Sequence, residues 1–272
     1  MSSASRRTWQ KHHVGTIHIT VEAEPPMAAL AKEASPQKLN DHRSVADITK
    51  ELVAVLDAQR LPATWAVGDP AHSATTALVT LSSVPHEMAL LGDDHWVGPT
   101  AGRTRFAREL ARRVSQARAK GIEVVTMVPR VAAIAEHIDL VVKQDIRAVV
   151  DVPVAAVERT RPSHAQALHY GVWEFAASQR LPMESSWLFT RWKLYRSIRR
   201  AARQTATFHV VIDAAAIEQQ GPWAIATIAR MARHIGLLRN RGLLRVETLG
   251  TAAARLSDLP AATPQRSILR AA

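Results

Sequence analysis

Short apolar runs rich in β-branched residues alternate along this chain with stretches whose apolar positions recur at helical spacing, and that alternation limits the fold more than any other feature. Thr16 to Glu22, Leu61 to Gly68, Met88 to Leu91, Ile122 to Val128, Ala148 to Val152 and Phe208 to Ile212 read as strands. Between them, Val45, Ile48, Leu52, Val55 and Leu56 share one helical face, and Phe106, Leu110 and Val114 share another. Strands that are apolar along their whole length are covered on both faces, so the pattern predicts a parallel sheet flanked by helices. Open sheet and closed barrel are not separated by this argument. Further strands are expected at Leu140 to Val142, Val172 to Ala176 and Leu243 to Leu249, with helices over Ala71 to Leu81, Ser185 to Gln204 and Pro222 to Asn240.

The punctuation agrees with this reading. Asp41 or Ser44 suits an N-cap, Gly121 a C-terminal cap, and Pro222 the first turn of a helix. Pro25-Pro26 stops the first strand, and the polar segment to Asp41 reads as a long loop at its carboxyl end. No internal repeat or second compositional zone is visible, so a single domain over residues 14–256 is expected. Residues 1–13 and 257–272 then read as flexible ends.

Of the 272 residues 47% are hydrophobic, enough for one sizeable core, and cysteine is absent, which excludes disulfides and thiolate metal sites. No apolar run reaches membrane-spanning length, so no membrane span is expected. The polar, basic start from Met1 to His13 lacks the apolar region of an export signal, and a cytoplasmic location is expected. The net charge of +11 raises the question of anionic partners. Its arginines and lysines concentrate in Arg103 to Lys120 and Arg191 to Arg203, where they alternate with core positions and read as solvated helix faces. Aromatic residues are only 5% and follow no single-strand-binding pattern, so nucleic acid is not expected as a partner. The oligomeric state is not legible.

Parallel α/β folds place chemistry at the carboxyl ends of their strands. There, the run Met88 to Leu91 passes through Gly92 into Asp93, Asp94 and His95. From Pro85 to Trp96 this stretch resembles the second motif of the polysaccharide deacetylases, the NodB-like carbohydrate esterase family 4, typically His-Glu-Ile-Ala-Leu-His-Gly-Tyr-Ser-His. Leu61-Pro-Ala-Thr-Trp-Ala-Val-Gly68 is similar to the family's Ile-Pro-Ala-Thr-Phe-Phe-Val-x-Gly strand. The resemblance extends from about Ile17 to Ala254 and includes the closing segment Leu238 to Leu249. It implies a single-domain α/β fold, a distorted (β/α) barrel usually of seven strands. It also implies a divalent metal and the hydrolysis of N-acylated sugars.

The catalytic parts of the resemblance depart from the family pattern. Of the two metal-binding histidines of the second motif, one position is Leu91 and only His95 remains. The first motif, Thr-Phe-Asp-Asp-Gly, corresponds to Thr20-Val21-Glu22-Ala23-Glu24, so Glu22 takes the place of the catalytic base while Ala23 takes that of a metal ligand. The third, Arg-x-Pro-x-Gly, becomes Met127-Val-Pro129-Arg130-Val131, with Arg130 displaced from the family's arginine position. The acid histidine of Phe-His-x-x-x-His-Pro is Asp213, four residues beyond His209, and Trp173 with Glu174 lies where the family's groove-lining tryptophan is sought.

These matches imply Glu22 and Asp213 as candidate base and acid, with Glu24, Asp93, Asp94, His95, His209 and Trp173 as candidate groove residues. No cofactor is expected, and zinc or another divalent metal would require a rearranged site at His95. The expected partner is a carbohydrate or sugar-derived ligand, bound by a protein that lacks the usual deacetylase activity. Two alternatives stand beside this reading: an altered hydrolase of amide bonds in N-acylated sugars using Glu22 and Asp213, and a basic protein that binds an anionic polymer.

Overall fold

The computed structural model describes residues 14–24, 44–93, 95–98, 101–130, 133–151, 165–182 and 187–258. The expected loop from Pro25 to Asp41, residues 1–13 and 259–272 of the expected ends, and Asp94 lie outside these residues. Within them run strands β1 (Gly15–Glu22), β2 (Thr64–Val67), β3 (Glu87–Gly92), β4 (Thr126–Pro129), β5 (Ala148–Asp151), β6 (Gln166–Ala167), β7 (Trp173–Ala176), β8 (Gln179–Leu181), β9 (Thr207–Asp213) and β10 (Leu244–Val246). The helices are α1 (Val45–Ala58), α2 (Ala74–Thr80), α3 (Gly102–Ala119), α4 (Ile138–Val142), α5 (Trp187–Gln204), α6 (Ala214–Gln220), α7 (Pro222–Asn240) and α8 (Leu249–Ser257).

The sheet order is β6-β7-β5-β4-β3-β2-β1-β9-β8, with β10 beside β1, and every pairing but that of β6 with β7 is parallel. Strands β7 and β8, near opposite ends of the main path, belong to one run of chain. Residues 173–176 pair with β5, and after two residues 179–181 pair with β9. The Ala177 amide donates to Asp151 and the Ser178 amide to His209 at that crossing. Counting β7 and β8 as one interrupted strand, and leaving out the two-residue antiparallel flank β6, the main sheet curls into a distorted seven-stranded (β/α) barrel.

Strand pleating divides the core in two. One face of β1 and β9 (Ile17, Ile19, Val21, Val210, Ile212) packs outward on α1, α5 and α7. On the other face Ala66, Ala89, Leu91, Val128, Val150, Phe175 and Val211 fill the barrel. Helix α8 closes its lower end with Leu249, Ala252 and Ala253, which is why small residues recur there.

Two sequence expectations change. Leu140 to Val142 belongs to α4, where Ile138 and Val141 are buried on one side, because so short an apolar run does not itself distinguish strand from helix. Leu243 to Leu249 is a three-residue strand followed by the start of α8, since the Thr248 hydroxyl accepts from the Thr251 amide as an N-cap. The other caps act as read: Ser44 and Asp47 form a capping box on α1.

Candidate functional site at the mouth of the barrel

The carboxyl ends of β1 and β9 are in register, Glu22 opposite Asp213, and the regular pleat turns both side chains toward the barrel. Arg180, on β8, stands between them. Its Nη2 donates to Glu22 Oε2 at 2.7 Å and to Asp213 Oδ2 at 2.8 Å. Arg130, just past β4, donates through Nε to the same Glu22 oxygen at 3.3 Å and through Nη2 to the Glu24 carbonyl. Glu22 is 0% exposed, and its Oε1 has no hydrogen-bond partner among the described residues. Burial alone would lower the Arg180 pKa, but the charge of Glu22 and the hydrogen bond to Asp213 raise it.

The two carboxylates are therefore ion-pair partners of one guanidinium. Asp213 is further committed: its Oδ1 accepts from the Ala216 amide and caps α6. With one oxygen on a helix terminus and the other on Arg180, it is placed as an acceptor rather than as a proton donor.

The remaining candidates disperse. Glu24 turns away, its Oε2 accepting from the Gly68 amide at 2.8 Å. Gly68 suits this approach because a Cβ there would lie 2.8 Å from that oxygen. Asp93 accepts from the His95 amide within its own loop. His95 is exposed, its Nδ1 3.0 Å from Arg105 Nη2 on α3, and it does not reach Glu22 or Asp213 by any hydrogen bond or ion pair. Trp173 sits at the opposite end of the barrel, where its Nε1 donates to Ser257 on α8, because it begins its strand rather than ending it.

His209 faces inward as the even spacing to Asp213 predicts, but lies inside the barrel, 2.9 Å from the Thr20 hydroxyl. His18 lies beside it, ring centroids 6.2 Å apart, with Nδ1 on the Glu247 carbonyl. Burial, followed by the neighbouring His18, pushes the His209 imidazole down to about 3, and burial lowers His18 too.

A divalent ion does not fit the described residues. Ala23 faces the helix layer and Leu91 packs inside the barrel, and no group of three His, Asp or Glu side chains comes together among the described residues. Sequence reasoning noticed Arg130 but gave it no role, and missed Arg180. The available signal was a single cation in the pleat between buried Ala177 and Leu181.

No family model matches the chain, and no curated protein matches it. Solved structures do. A protein of Mycobacterium smegmatis assigned as a polysaccharide deacetylase is 11% identical and superposes with a TM-score of 0.64, covering 92% of this chain and 93% of that one. The 4-alpha-glucanotransferase of Thermococcus litoralis (10% identity, TM-score 0.54) covers 90% of this chain and 40% of its own. The GH57 branching enzyme of Thermococcus kodakaraensis (9%, TM-score 0.51) covers 92% and 72%. At such identities the likeness concerns the fold, which is that of the polysaccharide deacetylases, the NodB-like barrel.

Proposed function

We propose that this is a polysaccharide deacetylase-like protein that binds a carbohydrate or sugar-derived ligand at the barrel mouth and has given up metal-dependent deacetylation. The observation that carries the reading is the single guanidinium of Arg180 shared by Glu22 and Asp213. A deacetylase needs an open cation position, a base that reaches bound water and an acid that reaches the leaving amine. Here the base position is fully buried and held by two arginines, and both oxygens of the acid position are occupied. Arg180, 37% exposed, is the member of this network best placed to meet a ligand hydroxyl or carboxylate. That the ligand is a sugar rests on the carbohydrate-active neighbours of the fold, an analogy.

The same geometry favours this reading over the altered hydrolase, since Glu22 is fully buried behind two arginines and both oxygens of Asp213 are engaged. The test is to titrate the full chain with N-acetylglucosamine oligosaccharides, following heat and acetate release with and without added zinc. Binding without acetate is expected. Zinc-dependent acetate release would contradict the loss of activity, and absence of binding to neutral and anionic oligosaccharides alike would contradict the ligand class.

A further inference from the structure

Helices α5 and α7 lie side by side on the barrel, joined by Tyr195 and His234 with ring centroids 4.9 Å apart. Neither contains an acidic residue. Each buries an apolar face toward the sheet, Leu194 and Ile198 on α5 and Ile228, Met231 and Ile235 on α7. Helical spacing then lines up Trp192, Arg199 and Arg203 on the outward face of α5, and Trp223, Arg230 and Leu237 on that of α7, all exposed. The α7 stripe from Trp223 to Leu237 is about 21 Å long at 1.5 Å per residue.

This face differs from the other basic helix. On α3 the arginines are largely compensated: Arg103 pairs with Asp139, Arg112 with Glu109 and Arg118 with Asp145. On α5 and α7, Arg199, Arg203, Arg230 and Arg233 make no ion pair with a described residue. Arg196 lies over the exposed Trp192 ring at 5.0 Å. Of the six large apolar side chains exposed among the described residues, Trp192, Trp223, Leu237 and Leu243 belong to this helix pair or its immediate end, and Leu81 and Tyr170 lie elsewhere singly.

We propose that the α5–α7 face docks on a membrane surface that contains anionic lipid. Its arginines meet headgroup phosphates and carboxylates, and its tryptophans and leucines enter the boundary between headgroups and acyl chains. No helix of the described residues is long and apolar enough to cross a membrane, and this contact needs none. The leucines decide against a soluble polyanion: an aliphatic side chain stacks on neither bases nor sugar rings, and leaves water only where apolar material waits to receive it.

The test is co-sedimentation of the full chain with vesicles of phosphatidylcholine mixed with phosphatidylserine, against vesicles of phosphatidylcholine alone. Binding to the anionic vesicles only, weakened by salt, is expected. Each arginine near such a surface raises the partition about fivefold, so Arg199→Gln with Arg230→Gln lowers it roughly 25-fold. Trp192→Ser with Leu237→Ser lowers it as well, while Arg108→Gln on α3 leaves it within about twofold, the α3 side chain lying off the docking face. Circular dichroism checks that each variant is folded. Equal binding to neutral vesicles, no binding to anionic ones, or an equal loss from Arg108→Gln would overturn the proposal. An unchanged partition after the two apolar substitutions would overturn the lipid assignment in favour of a soluble polyanion.

Discussion

The two ends of the barrel hold their carboxylates in opposite ways. At the mouth, Glu22 and Asp213 are neutralised by arginines that reach in from β8 and the end of β4. At the base, Glu87 pairs with no cation among the described residues. It accepts from the Thr64 and Thr126 hydroxyls and from the Gly250 amide in the first turn of α8. The Leu249 amide donates to Thr64, so the helix terminus is satisfied donor by donor. Burial raises the Glu87 pKa even against those donors. The base is thus a fixed plug of neutral donors around one acid, and the mouth is a set of charges held by mutual attraction. Arg180 at the mouth is partly exposed and can be reached by a ligand, whereas the hydrogen bonds at the base hold α8 to the barrel.

Substitutions at the two ends should separate these modes. Glu87→Ala strands two buried threonine hydroxyls and a helix amide, and should cost about 3 kcal/mol in urea denaturation, the larger effect. Arg180→Met should cost about 2 kcal/mol. That lies below the roughly 3–5 kcal/mol of a fully buried pair, because Arg180 is partly exposed and Arg130 still serves Glu22. Adding Glu22→Gln to Arg180→Met should recover part of that loss, and a cycle showing strict additivity would deny the coupling. Gly250→Ala comes next, at about 1–2 kcal/mol, since its Cβ would stand 2.6 Å from Val125 Cγ2 and 2.8 Å from Glu87 Oε1.

In pH dependence the imidazoles and the base acid have opposite signs. Burial holds the imidazoles of His18 and His209 below the ordinary histidine value of 6.5. The stability they contribute is complete above that value and is lost as pH falls below it, for His209 progressively down to about 3. Glu87 has a raised folded value, so its contribution is complete below 4.5 and is lost as pH rises through the folded value. His209→Gln should flatten the acid side of a stability profile and Glu87→Gln the side above 4.5, each read from urea midpoints across pH.

Much of this fold is legible in the sequence because strands such as Met88 to Leu91 are apolar on both faces and its helices are bounded by caps such as Ser44 and Gly121. The site is legible only in part. Glu22 and Asp213 were found through motif positions, and their meeting follows from strand register. Arg180 was not, because its partners lie 158 and 33 residues away and nothing local marks it. His95 misled for the converse reason: a histidine among acids looks like a ligand in sequence, but its loop turns the ring to solvent and to Arg105.

The central claim is that arginines occupy the mouth in a way that leaves no seat for a divalent ion. Equilibrium dialysis of the full chain, purified without chelators, against micromolar zinc tests it most directly. The account predicts far less than one bound zinc per chain, unchanged by Glu22→Gln or Asp213→Asn. One tightly held zinc per chain, lost in either variant, would contradict it.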